Sequence, residues 1–107
     1  MRSLLALLAV LGVGAHPVKT TVVTVREYEY GFKLSRTVVP AGRVTFLMEN
    51  VGTLIHDFHV VGLRAGPFLQ PGQSGRMTVR LKRGRYLYLC DVKYHAPQGM
   101  QGFLRVR

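Results

Sequence analysis

The sequence predicts an all-β domain, a Greek-key β-sandwich, preceded by an N-terminal signal peptide. Three observations predict it. Several short runs alternate apolar and polar residues with period two, Gly and Pro punctuate those runs at short intervals, and no stretch after residue 15 carries a 3.6-residue apolar period. At 107 residues the chain is long enough for one domain and not two. No domain boundary, internal repeat or low-complexity tract interrupts it.

The first segment reads as an address. Arg2 gives a positive end, Leu4–Val13 an apolar run, and Val13-Gly14-Ala15 the small residues of a cleavage site. A run of this length is too short for a membrane span, which takes about 20 residues. The expected division is therefore a signal peptide over 1–15 and a mature domain over 16–107, exported to a periplasmic or extracellular space. Retention of the segment as an anchor is the alternative. No cysteine follows the apolar run to take a lipid.

Thr20–Tyr30 opens the mature chain as a strand rich in Thr, Val and Tyr. Lys33–Val39 is a second extended run, closed by the turn Pro40-Ala41-Gly42. Arg43–Glu49 places Val44, Phe46 and Met48 on one face, and Asn50-Val51-Gly52 ends it. Ile55–Val61 is expected as one strand. Gly62–Gly75, with four Gly and two Pro, is a long connection that crosses from one sheet to the other. Arg76–Leu81 alternates Met77, Val79 and Leu81 against Arg76, Thr78 and Arg80; Lys82-Arg83-Gly84 turns the chain into Arg85–Cys90, and Gln101–Arg107 is the last strand.

The chemistry-bearing residues lie at two strand ends. Cys90, His95 and Met100 sit on one short loop, spaced C-x4-H-x4-M. Cys90 shares a strand face with Tyr86 and Tyr88, and Pro97 and Gly99 suit the bend that carries the loop round. Thiolate, imidazole and thioether together suit copper better than a hard cation. Two His and one Cys with a long Met contact make the trigonal electron-transfer copper site, so one more histidine is needed. His56 or His59 must supply it. His56 shares its face with the apolar Phe58 and Val60, which makes it the inward candidate, while His59 faces the other way.

These motifs resemble the cupredoxins, the small blue-copper proteins. The resemblance spans residues 32–107: Val39-Pro40-Ala41-Gly42-Arg43-Val44-Thr45-Phe46 leading to Asn50-Val51-Gly52, then His56-Asp57-Phe58, then Gly84–Cys90, His95 and Gly99-Met100-Gln101-Gly102. It implies a single copper ion held by His56, Cys90, His95 and Met100, cycling between Cu(I) and Cu(II). Two positions depart from the family pattern. Lys93-Tyr94 stands where Pro-Gly is common, and Asp57 stands where Asn is common; such neighbours tune a copper site. Leu54, Phe58 and Ala96 are expected to form the apolar shell.

Composition excludes other classes. One cysteine permits no intramolecular disulfide and no two-copper site with bridging thiolates, and four histidines exclude several multi-His centres. A nucleophilic Cys90–His95 enzyme would need an oxyanion hole and an orienting residue at recognisable spacing, which the sequence lacks. A basic binder of single-stranded nucleic acid leaves the Cys/His/Met loop unexplained. His16, at the expected new terminus, could chelate copper only with a second histidine nearby, and none is placed there. The chain is thus read as a one-electron carrier and not an enzyme, with copper delivery by the same fold as the alternative. The charge of +10 predicts an acidic redox partner, a cytochrome or an oxidase domain, docking at the copper end.

Overall fold

In the computed structural model, which describes residues 19–107, the alternating runs become two stacked four-stranded sheets. The strands are β1 (Thr20–Tyr28), β2 (Gly31–Leu34), β3 (Val38–Val39), β4 (Gly42–Asn50), β5 (His59–Val60), β6 (Ser74–Leu81), β7 (Gly84–Leu89) and β8 (Gln101–Val106). One sheet has the order β2-β1-β4-β6 and the other β3-β8-β7-β5. The pairs β1·β4 and β3·β8 are parallel, and the remaining neighbours are antiparallel. The expected signal segment and His16 lie outside the described residues.

Period two explains the packing. On β1 the alternate residues Val23 and Val25 are buried, on β4 Val44, Phe46 and Met48, and on β6 Met77, Val79 and Leu81. Val39, Val60, Tyr88, Leu104 and Val106 meet them from the second sheet. Phe58, fully buried, binds the layers together: its ring centroid lies 5.3 Å from Phe32, 5.0 Å from Phe46 and 5.2 Å from Tyr88. Each such aromatic pair contributes roughly 0.5–1.5 kcal/mol beyond its buried area.

Two expectations are corrected. Lys33–Val39 is not one strand: β2 pairs with β1, and after a break at 35–37 β3 pairs with β8 in the opposite sheet. The chain changes sheets there. Ile55–Val61 is likewise not one strand, because only His59–Val60 joins β7. His56 instead exchanges backbone hydrogen bonds with Leu69 on the long crossing connection (His56 N to Leu69 O 3.1 Å, Leu69 N to His56 O 2.7 Å). The 62–75 segment does pass from β5 in one sheet to β6 in the other, as its composition predicts.

All of this sets two poles. β1 and β4 finish, β7 runs out into Cys90 and β8 begins at one end of the sandwich; at the other lie the start of β1, the turn before β4 and the β6–β7 turn. A nine-residue strand such as β1 separates them by about 30 Å.

Candidate metal centre

Three chain segments meet at the first pole. Asn50 caps β4 and organises the segment that follows: its Nδ2 donates to Leu54 O (2.7 Å) and Leu69 O (2.8 Å), and its Oδ1 accepts from Gly52 N (2.8 Å). That net carries His56 inward, where it is fully buried. The 90–100 loop folds back on itself through His95 N to Val92 O (3.0 Å) and a single 3₁₀ turn over Ala96–Gln98. Cys90 N then donates to Met100 O (3.1 Å) and Met100 N to His95 O (3.2 Å), so the loop's two ends close together.

The donor atoms converge. Cys90 Sγ lies 3.9 Å from His56 Nδ1 and 3.7 Å from His95 Nδ1, and the two Nδ1 atoms are 3.2 Å apart. Donors on bonds of about 2.0–2.3 Å, at angles between tetrahedral and trigonal, lie about 3.2–4 Å apart, so the triangle has the dimensions of a first-row metal site. All three residues are buried, and Met100 beside them is fully buried. Two nitrogens, one thiol and one thioether form a donor set consistent with one type 1 copper ion. His59, the other histidine weighed from the sequence, is elsewhere: its Nε2 contacts Leu63 O (3.0 Å) and its Nδ1 Asp91 (3.0 Å).

Burial pushes the Cys90 thiol up to about 11, so the metal-free site keeps its proton, and burial together with the neighbouring His56 lowers His95, which keeps its imidazole neutral and able to ligate. Asp57 fastens the loop by accepting from Asp91 N at 2.6 Å. Its other carboxylate oxygen and both oxygens of buried Glu27 have no hydrogen-bond partner, and burial raises both carboxyls to about 7.

Glu29 is the residue that the sequence did not reveal. It stands in the β1–β2 turn, and its carboxylate contacts His56 Nε2. It also accepts from Thr53 N and Thr53 Oγ1 (both 2.8 Å) and Leu54 N (3.3 Å). Burial opposes its ionisation, but these donors outweigh burial and hold the carboxyl down at about 2. An ionised carboxylate on Nε2 fixes the proton there, which leaves the Nδ1 lone pair directed at Cys90 and His95. Twenty-seven residues separate the pair, and a Glu in a Tyr-Glu-Tyr turn reads as a solvated surface charge.

The loop departure at Lys93-Tyr94 also has a structural counterpart: Tyr94 adopts φ 70°, a left-handed conformation that glycine takes without steric cost. Of the expected apolar shell, Phe58 is buried, Ala96 is half-buried, and Leu54 is exposed at the rim with Ile55, Tyr30 and Tyr94. Tyr30 meets His95 edge-on, with ring centroids 5.1 Å apart.

Among the described residues no helix is long and apolar enough to cross a membrane. No curated protein sequence matches the chain. Among solved structures the chain is similar to sodium-dithionite-reduced auracyanin from the photosynthetic bacterium Roseiflexus castenholzii, at 21% identity over 85% of this chain and 99% of that one, with a TM-score of 0.69. It is similar to auracyanin A, a blue copper protein from Chloroflexus aurantiacus, at 19% identity over 83% of this chain and 100% of that one (TM-score 0.68). It also matches the blue copper oxidase of Nitrosomonas europaea at 19% identity over 83% of this chain but only 39% of that one (TM-score 0.69). These likenesses establish a shared fold. The family model described as a cupredoxin-like domain matches residues 2–105.

Proposed function

The chain belongs to the cupredoxin-like family, and from that premise we propose that it is an exported mononuclear copper protein that passes single electrons between redox partners. His56 Nδ1, Cys90 Sγ and His95 Nδ1 would hold the ion in this reading, with the Met100 thioether as a weaker fourth donor. The observation that carries it is the buried triangle of those three atoms, with edges of 3.2, 3.7 and 3.9 Å.

Bound copper would supply a Cu(II)/Cu(I) couple in which no substrate bond is made or broken. The protein's part is to hold the donors still. Cys90 gives up its proton on metal uptake, since the thiolate and not the thiol ligates. His56 is oriented by Glu29, and His95 by the loop that returns to Met100. A frame in which each donor hangs on a strand end or a hydrogen-bonded loop leaves little to rearrange between oxidation states. Cys90 is 2% exposed and His95 7%. That leaves access for an electron through the His95 edge, which supports a carrier.

The partner is a redox protein that docks over the rim formed by Leu54, Ile55, Tyr30 and Tyr94. An acidic cytochrome or oxidase domain would meet Lys93 there, although most of the basic side chains lie elsewhere on the molecule. Export to the periplasm or the extracellular space, with 16–107 as the mature domain, rests on the N-terminal signal pattern.

The test is addition of Cu(II) to the purified protein, followed by absorption spectroscopy and voltammetry. An intense thiolate-to-copper charge-transfer band with reversible cycling supports electron transfer. Rapid loss of copper to chelators without a stable Cu(II) form would favour copper delivery instead.

A further inference from the structure

The charges of this chain are sorted by pole. All five acidic residues lie at the metal-site end: Glu27 and Glu29 close β1, Glu49 closes β4, and Asp57 and Asp91 adjoin His56 and Cys90. At the opposite end six arginines gather. Arg43 lies directly across from Arg80 in the β4·β6 pair, Arg85 directly across from Arg105 in the β7·β8 pair, and Arg83 and Arg107 flank them.

Like charges placed opposite each other weaken a sheet, so these pairs do not serve the fold. Edge protection does not account for all of them either, because Arg43 and Arg105 lie on interior strands, β4 and β8, with a partner on each side, while Arg80 is on the edge strand β6 and Arg85 on a part of β7 that β5 does not reach. Among the described residues the only ion pairs join His56 to Glu29 and His59 to Asp91, so no carboxylate lies within ion-pair distance of any of the six. Arg83, Arg85, Arg105 and Arg107 line a cleft of about 300 Å³ around Phe103, which is 51% exposed and carries the Arg85 guanidinium 3.8 Å above its ring centre. Arginine forks suit phosphate oxygens, and an exposed aromatic beside cations suits a headgroup layer.

We infer that this arginine pole docks on the anionic phospholipid headgroups of a membrane surface and turns the metal-site pole outward, away from it. Guanidinium forks beside an exposed ring favour a phosphate headgroup layer over an acidic protein. Thr20 opens β1 at this pole, across from Arg43, so if the Leu4–Val13 stretch is retained as an anchor, the alternative to its cleavage, it also joins the domain at the arginine end. With about 30 Å between poles, the donor triangle then stands clear of the lipid and accessible to a partner in the aqueous phase. This inference is independent of which metal the triangle holds.

The test compares sedimentation of the full chain with vesicles of pure phosphatidylcholine and with vesicles containing phosphatidylglycerol, at low and high salt. Both kinds of vesicle report equally on the apolar segment, so their difference isolates the charge. Preferential binding to the anionic vesicles is expected, lost at high salt, and reduced at least about a hundredfold in the joint variant Arg83→Gln, Arg85→Gln, Arg105→Gln, Arg107→Gln. The corresponding four Arg→Lys changes are expected to retain it, which separates lost charge from lost folding. A control removing four charges elsewhere (Arg26→Gln, Lys33→Gln, Arg76→Gln, Lys93→Gln) is expected to change binding less than about tenfold. Equal binding to both vesicle types, equal loss in the two Gln sets, or stronger binding to soluble polyglutamate than to anionic vesicles would overturn the inference; the last would point to an acidic protein as the partner.

Discussion

Replacing Glu29 by alanine removes a side chain that touches no metal in the proposed site, yet its effect is expected to reach the metal. The carboxylate serves four donors. Three of them, on Thr53 and Leu54, lie at the exposed rim and water can replace the lost partner at little cost. The fourth, His56 Nε2, belongs to a ring with no exposed surface. Leaving that N–H unpaired costs about 1–3 kcal/mol, so Glu29→Ala is expected to lower unfolding free energy by about 2 kcal/mol in urea titration. The freed imidazole can also place its proton on Nδ1, which removes the lone pair aimed at Cys90 and His95. Copper affinity, read by competition with a chelator, is expected to fall about 10–100-fold, as it does when partners of metal-bound histidines are lost. Nitrogen NMR of the metal-free protein reports the tautomer directly: the Nε2–H form in the wild type, a mixture in Glu29→Ala, and restoration toward Nε2–H in Glu29→Gln, whose amide oxygen still accepts. A variant with unchanged affinity, stability and tautomer would refute the idea that Glu29 orients His56.

Four further outcomes are expected. Substituting His56 by alanine abolishes the coloured copper form, whereas His59→Ala preserves it, because His59 is spent on Leu63 and Asp91; equal spectra for the two variants would reverse the assignment. Met100→Ala, at a fully buried position, costs about 2–5 kcal/mol of stability, while Met100→Leu costs under about 1.5 kcal/mol and shifts the reduction potential by removing the sulfur; an unshifted potential in Met100→Leu would count against an axial role. Phe58→Ala is expected to cost about 3–5 kcal/mol, since the ring touches Phe32, Phe46 and Tyr88. Glu27, raised to about 7 by burial, favours the folded state while protonated, so its contribution is present below the ordinary carboxylate range and lost as pH rises through about 7. The metal-free protein should therefore unfold more readily at pH 8 than at pH 5, and Glu27→Gln should flatten that slope; an unchanged slope would refute this source.

Strands that bury one face were legible in the sequence, because burial and period two coincide: β1, β4, β6 and β8 lie within a residue or two of their expected spans. The segment around His56 was legible in outcome and not in cause. Its alternation predicts which side chains turn inward, but His56 bonds to Leu69 on the crossing connection and not to a neighbouring strand. No local pattern encodes such a partner. Cys90, His95 and Met100 announced themselves through residue type and spacing on one loop. Glu29 and Glu27 did not, since a carboxylate's role depends on what distant stretches of the chain bring to it. The sorting of charge between the poles was equally hidden, because strands that run both ways scatter each pole's residues along the chain.

Thiolate ligation by Cys90 is tested most directly by the absorption spectrum of the Cu(II)-loaded protein beside that of Cys90→Ser. An intense visible thiolate-to-copper band is expected in the wild type and none in the variant. A colourless wild type, or a Cys90→Ser protein with the same colour and the same reversible redox wave, would contradict it.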